Sequence, residues 1–470
     1  MVTIDKLPDD ILLEIFDFTV EEEFVKYEAI NQELDDWRTL VHVCRRWRSV
    51  VFGSPRRLNL RLLCSDTTPA RDTLDVWPPL PLSIWCEGYH HKNGVVEYMD
   101  NILAALERSD RVCYIDLSGF KSSHLEKISV AMQVPFPELI NLMLWPTGET
   151  APVLPDSLLG EDAQRLETLS LTNIPFPGLP KLLLTATHLT YLELVDIPHS
   201  GYFSPEAIVT ALSTLTHLQS LRLMFKSPLS RPDPAHRRPL PLTRSVLPAL
   251  TSLWFKGVSE YFEDVSACID APRLYLFDIT FFNDIVFDIP QLVQFINRAP
   301  NLNLKALKKA RVVFSSHLAR VDLSEKRKGV YLKILCSEPG WQVSSMVQFC
   351  TSCLSSLSAL EGLWINDHEL YSRPKSQANI ENALWLELLH PFTAVRNLHL
   401  SVEITRCIVP ALQELVPGRV TDVLPTLQNI FLEEHQPSGP VQEGIQRFIT
   451  MRQVAGHPIA ITYGQKIPYW

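Results

Sequence analysis

Glycine is scarce in this chain, at 17 of 470 residues. Phosphate-cradling loops need glycine for close backbone approach, and no Gly-rich loop ending in Lys-Ser or Lys-Thr is present. Other standard catalytic signatures are missing too: there is no Gly-x-Ser-x-Gly elbow and no His-Glu-x-x-His. No apolar run reaches the ~18 residues that a membrane span needs. The N-terminus has no apolar leader, because Asp5, Lys6, Asp9 and Asp10 interrupt it. Basic charge is also in deficit. A formal net charge of −10 and a pI near 5.8 argue against a general nucleic-acid binder. These absences predict a non-enzymatic protein of the cytoplasm, the nucleus or both, with no cofactor, no metal, no membrane and no nucleic-acid partner.

The polar and sulfur-bearing residues add little chemistry. The cysteines Cys44, Cys64, Cys86, Cys113, Cys268, Cys336, Cys350, Cys353 and Cys407 are scattered and odd in number. That pattern fits reduced thiols in an intracellular protein. Cys350-x-x-Cys353 has the spacing of a redox or zinc half-site, but no second Cys or His pair completes it, so two structural thiols are expected. His90-His91 reads as a solvated turn. The Pro-rich basic loop from Arg231 to Pro239, with Arg237 and Arg238, reads either as a solvated insertion or as a contact for an acidic partner segment. The group Lys305, Lys308, Lys309 and Arg311 carries the same two readings.

What is present begins at the N-terminus. Pro8 suits the first turn of a helix, and Asp9 and Asp10 place negative charge where the helix dipole favours it. Ile11, Leu12, Ile15 and Phe16 then form an apolar stripe. Farther on, Leu40, Cys44, Trp47 and Val51 share one face at helical spacing, with Arg45, Arg46 and Arg48 off it and solvated. Such a short segment cannot bury its own core well. It reads either as a helical hairpin opening a larger core or as a docking module. Leu7-Pro8-x-x-Ile11-Leu12-x-x-Ile15-Phe16 followed by Val43-Cys44-Arg45-x-Trp47 closely resembles the F-box, over roughly residues 4–58. The resemblance implies a three-helix element that binds the Skp adaptor of cullin–RING ubiquitin ligases. It implies that Leu7, Pro8, Ile11, Leu12, Ile15, Phe16, Val43, Cys44 and Trp47 meet the adaptor or support that surface. The stretch from Val20 to Arg38, with Glu21-Glu22-Glu23, is longer than the family usually allows and reads as an acidic insertion.

After these N-terminal helices a single pattern recurs, Leu-x-x-Leu-x-Leu. It is seen at Leu139, Leu142 and Leu144, then at Leu166, Leu169 and Leu171, Leu189, Leu192 and Leu194, and Leu218, Leu221 and Leu223. Looser copies lie at Leu250, Leu253 and Phe255, at Leu274, Phe277 and Ile279, and at Leu360, Leu363 and Ile365. Two more follow at Val395, Leu398 and Leu400 and at Leu427, Ile430 and Leu432, and an earlier one stands at Val112, Ile115 and Leu117. The steps between copies straddle and often exceed the ~20–29 residues of a leucine-rich repeat. The chain thus resembles an irregular leucine-rich-repeat protein. Ile174, Ile197 and Val258 stand where that family usually has Asn or Cys. Helical spacing lies between copies, from Val95 to Glu107, Pro205 to Leu215, Pro290 to Arg298 and Val343 to Leu357.

The predicted fold is therefore α/β: F-box helices over residues 1–58, with the acidic insertion near 20–38, and an irregular leucine-rich-repeat solenoid of parallel strands and outer helices over 59–470. A doubly wound α/β sheet is the alternative. Arg57 to Leu62 and Pro81 to Cys86 read as starting strands, while Arg311 to Cys336 has no place in the repeat register. The outward fifth positions form a column: Asp116, Met143, Ser170, Glu193, Arg222, Trp254, Asp278, Trp364, His399 and Phe431. Within it Arg222, Trp254 and Trp364 are the candidates for partner contact, unless helices or the tail Ile467-Pro468-Tyr469-Trp470 cover the tryptophans. The two resemblances together imply the substrate-recognition subunit of a Skp–cullin–F-box-type ubiquitin ligase, similar to those of large fungal F-box families. Its partners would be the Skp adaptor, through it a cullin, and a target protein. An F-box scaffold acting outside ubiquitin ligation is the alternative.

Overall fold

The computed structural model describes residues 4–20, 37–55, 57–58, 60–65, 69–87, 98–148, 151–232, 243–282, 289–302, 304–325, 328–353, 355–367, 380–415, 418–433 and 439–464. Residues 21–36 of the acidic insertion, His90-His91, Arg237 and Arg238, and the tail from Ile467 lie outside these residues, while Trp37 and Arg38, read as the end of the insertion, belong to a helix. The chain divides into two compact units, Met1–Phe203 and Ser204–Trp470. Each is mixed α/β and is built on parallel strands, with one antiparallel strand in the second. Among the described residues no helix is long and apolar enough to cross a membrane.

The first unit opens with α1 (Asp9–Val20), α2 (Trp37–Val43) and α3 (Arg45–Gly53). Its strands are β1 (Leu62–Ser65), β2 (Leu82–Glu87), β3 (Val112–Lys121), β4 (Asn141–Thr147), β5 (Thr168–Thr172) and β6 (Tyr191–Ile197), paired in that order and all parallel. Between them lie α4 (Ala70–Val76), α5 (Tyr98–Leu106), α6 (Ser122–Ala131) and α7 (Leu179–Leu183). The first strand begins at Leu62, not Arg57; residues 57 and 58 form a turn whose Leu58, like Leu60, is buried. Leucine spacing sets which side of each strand is buried. In β4, Leu142 and Leu144 are buried, Met143 is half-exposed and Trp145 is exposed. Successive residues of a strand face opposite sides.

The second unit repeats the scheme. Its strands are β7 (Ser220–Phe225), β8 (Ser245–Val246), β9 (Ser252–Gly257), β10 (Ile269–Asp270), β11 (Leu276–Phe281), β12 (Lys309–Phe314), β13 (Leu318–Glu325), β14 (Lys328–Leu335), β15 (Gly362–Asp367), β16 (Asn397–Leu400), β17 (Asn429–Leu432) and β18 (Ala460–Tyr463). The main sheet runs β7-β9-β11-β14-β13-β12-β15-β16-β17-β18, with β8 and β10 as a small separate pair. The stretch from Arg311 to Cys336 joins the same sheet. It holds β12, β13 and β14, with β13 antiparallel to both neighbours and every other pairing parallel.

The unit's helices are α8 (Pro205–Leu212), α9 (Ser259–Cys268), α10 (Pro290–Asn297), α11 (Pro339–Cys353), α12 (Asn382–Leu389), α13 (Val402–Gln413) and α14 (Pro440–Val454). Each packs against the next in chain order. Local chemistry starts them: Pro205 occupies the first turn of α8, and the Ser204 hydroxyl accepts the Ala207 N–H at 3.2 Å. Glu263 of α9 is buried, and its carboxylate accepts the Gln291 and Leu292 N–H groups at 3.0 and 2.8 Å, which caps α10 from a neighbouring helix. On the sheet side, Leu253, Phe255, Phe277, Ile279, Leu332, Ile334, Leu363, Ile365, Leu398 and Leu400 are buried. Each such side chain contributes roughly 1.5–3 kcal/mol of hydrophobic stabilisation. The residues between them stay half-exposed on the other face, apart from the crowded β12.

Candidate interaction surfaces

Two surfaces have side chains arranged for contact. The first lies on the N-terminal helices. Leu12, Leu13 and Phe16 of α1 are buried, and the Phe16 ring meets Trp47 of α3 at 4.8 Å. On the opposite side Ile11, Ile15 and Phe18 are 43%, 38% and 75% exposed. Spacings of four and three place them in one row on the helix surface. Pro8 and Cys44 are exposed, Val43 is 59% exposed, and Leu7 and Trp47 are half-exposed. The nine residues singled out from sequence therefore divide into outward groups and supporting groups. Phe18 completes the outward row and was not among them, although its helical spacing from Ile11 and Ile15 is visible in the sequence.

The second N-terminal segment differs from expectation. It is two helices rather than one continuous face from Leu40 to Val51. Cys44 is extended (φ −158°, ψ 168°), and its Sγ accepts the Trp47 N–H at 3.4 Å, so it ends α2 and caps α3. Val50 and Val51 become the buried side of α3. Arg46 and Arg48 are not simply solvated. Arg46 pairs with Asp9 at 2.7 Å and donates to the Leu7 carbonyl, and Arg48 Nε donates to the Val41 carbonyl at 2.9 Å. The start of α1 is thereby tied to the start of α3.

The second surface is the half-exposed sheet face of the second unit. Strand register sets Arg222 beside Trp254, and Trp254 beside Asp278. Next come Tyr331, Asp322 and Arg311, then Trp364, His399 and Phe431. The column expected from sequence is thus interrupted by three residues of β12–β14 that the repeat pattern does not announce. The Arg222 guanidinium lies 4.7 Å from the Trp254 ring centre. Lys333 pairs with Asp278 at 2.7 Å, and Arg320 Nε lies 2.9 Å from Asp322 Oδ1. Burial pushes the Asp322 carboxyl above its ordinary pKa, although Arg320, Arg311 and Lys333 pull the other way.

At the other end of the row the Trp364, His399 and Phe431 rings stack at 4.4 and 4.3 Å, with interplanar angles of 9° and 12°. The Lys309 ammonium lies 5.4 Å from the Trp364 ring centre. Burial, assisted by Lys309, lowers the His399 pKa to about 4, so its ring is neutral at physiological pH. Arg222, Trp254 and Trp364 are all half-exposed, in one sheet face. Lys308 sits at the rim and pairs with Glu361 at 3.1 Å. Cys350 is buried in α11. Among the described residues no group of three or more His, Cys, Asp or Glu is placed to hold a metal ion. A comparison with protein-family models finds no matching family, and a comparison with curated proteins finds no match.

Proposed function

We propose that the chain is a substrate receptor of a Skp–cullin–F-box-type ubiquitin ligase. The helices α1–α3 dock the Skp adaptor, and the strand face of a leucine-rich-repeat array holds a target protein. The observation that carries the reading is the open row Ile11, Ile15 and Phe18 on α1, a helix whose other side is already buried. A second apolar side on so short an element is a docking surface in the making. Two of its residues, Ile11 and Ile15, are among the nine that the F-box resemblance assigns to the adaptor, Leu12 and Phe16 of that set are buried beneath it, and Phe18 extends the row.

The strand pattern supports the repeat reading. Parallel sheets of the doubly wound kind are covered on both faces, and their strands are apolar throughout. Here the parallel strands β7, β16 and β17 alternate between buried and half-exposed residues. Helices that pack on their chain neighbours fit a solenoid in which each repeat buries the next. The receptor's contribution to ubiquitin transfer is proximity, holding the target near a charged enzyme.

Capture of a co-expressed Skp-type adaptor tests the docking. The double variant Ile11→Asp, Ile15→Asp alters exposed positions and is expected to fold while losing adaptor capture by more than roughly tenfold. Equal capture by wild type and variant sinks the assignment.

A further inference from the structure

The main sheet of the second unit ends at β18, which reads Ala-Ile-Thr-Tyr. Ala460 and Thr462 are exposed, Ile461 is half-exposed and Tyr463 is 44% exposed. The inner edge of β18 is held by β17: the strands run parallel, and the Ala460 N–H donates to the Gln428 carbonyl at 2.9 Å. In a parallel ladder alternate residues turn both backbone groups towards the same neighbour. Ala460 and Thr462 therefore bond β17, and the N–H and C=O groups of Ile461 and Tyr463 point outward. Among the described residues no strand pairs with that outer edge. The first unit's edge strand β1 differs, since its Leu62, Cys64 and Ser65 are all buried.

Edges left open are normally protected by Lys, Pro or a bulge. Residues 460–463 carry none of these, and Ile, Thr and Tyr favour strands. A two-fold axis sets each group near its own copy, so a charged edge repels itself. The chain has a formal net charge of −10, yet β18 has no charged residue. Ile461 and Tyr463 lie on the side of the sheet that buries Ile430 and Leu432, and Thr462 lies on the side of Phe431.

These facts fix one register for antiparallel pairing with a second copy. Opposed residues must share a side of the sheet, so Thr462 meets Thr462 of the second copy on the axis. Ile461 then meets Tyr463 of the second copy. Threonine pairs and aromatic–β-branched pairs both stabilise a sheet. Ile461 and Tyr463 become the hydrogen-bonded pair, which uses every outward N–H and C=O of both strands. The flank of α14, the helix that leads into β18, is open as well. Thr450, Met451 and Val454 line a groove there, and Val454 is 84% exposed.

We infer that β18 is a dimerisation edge, where two copies of this chain pair antiparallel about a two-fold axis at Thr462. The inference does not depend on the receptor reading.

The test uses the full chain. Sedimentation equilibrium is expected to show a reversible monomer–dimer exchange. Added salt should strengthen it, because it screens the repulsion between two chains of like net charge. Thr462→Lys sets two ammonium groups against each other on the axis and is expected to weaken dimerisation by at least roughly tenfold. Ile461→Pro removes an outward N–H without touching the bonds to β17 and is expected to act in the same direction. Thr462→Cys is expected to cross-link two copies on mild oxidation. Opposed Cα atoms of a non-hydrogen-bonded pair lie ~4.5 Å apart, within the ~4.4–6.8 Å that a disulfide spans. Ala460→Cys is also exposed but stands opposite Gly464, so it should cross-link no more than wild type. A monomer at every concentration, without cross-linking of Thr462→Cys, overturns the inference. So does a dimer that Thr462→Lys and Ile461→Pro leave unchanged, or equal cross-linking of the two cysteine variants. Adaptor capture, read on the same preparations, decides the docking reading separately.

Discussion

His399 lies between two aromatic rings, and that position sets how it responds to protons. Its imidazole stacks on Trp364 on one side and Phe431 on the other. Charging the ring in this half-buried slot, with the Lys309 ammonium on the same face, is unfavourable, and its pKa falls from 6.5 to about 4. In the unfolded chain the same ring protonates near pH 6.5. Between these values the unfolded state binds more protons, so stability rises with pH across that window and is lost on acidification. Above the window His399 contributes no pH dependence. His399→Phe preserves the stack and removes the proton. Urea unfolding at several pH values is expected to give similar stabilities for both proteins at pH 7. Wild type should lose more than the variant as pH falls from 6.5 towards 4. Parallel curves across that range contradict the assignment.

At the scale of elements, the hairpin β13–β14 departs most from the repeat plan, and one glycine makes it possible. Gly329 has φ +132°, a region that side chains rarely adopt. A Cβ there would collide with the Leu323 carbonyl oxygen and the Ser324 Cα. Gly329→Ala is expected to lower unfolding stability by about 2–3 kcal/mol. Gly418→Ala, at a turn with open space around it, is expected to change stability by less than about 1 kcal/mol. Equal effects in urea titrations would show that the start of β14 does not require glycine.

The same hairpin marks how far the sequence could be read. Leu142 and Leu144, Leu221 and Leu223, and Leu398 and Leu400 lie buried in strands at their Leu-x-x-Leu-x-Leu positions. Period-two burial in a one-sided sheet leaves a strong trace there. The strand β13 alternates as well, but as Leu-Ala-Arg-Val-Asp-Leu-Ser-Glu it lacks the repeat and pairs antiparallel. Nothing local states that pairing. Arg222, Trp254 and Trp364 could be assigned to one face by counting. The ionic neighbours of Trp364 could not, because Arg311, Asp322 and Tyr331 enter through β12–β14. The break at Cys44 was hidden for a similar reason: apolar spacing runs through it, while the backbone turns extended.

At the scale of the whole molecule, the docking role proposed for the N-terminal helices needs something that fixes their direction. Within the first unit that role falls to Trp37. It is 3% exposed, its rings meet Phe52 and Trp77 at 5.9 and 5.4 Å, and its Nε1 donates to the Arg61 carbonyl at 3.1 Å. Arg61 immediately precedes β1, the edge strand of that unit's sheet. The aromatic cluster and this bond join the N-terminal helices to the start of the sheet, so α1–α3 and β1–β2 are expected to open as one cooperative unit in native-state hydrogen exchange. Trp37→Ala removes the cluster's centre and is expected to cost about 3–5 kcal/mol. The helix amides should then exchange at a lower opening free energy than those of β1 and β2. Trp37→Phe keeps much of the packing and removes the bond to Arg61, a loss of about 1 kcal/mol, with opening still shared. If the helices already exchange separately in the wild-type protein, or stay coupled in Trp37→Ala, then Trp37 does not orient α1–α3.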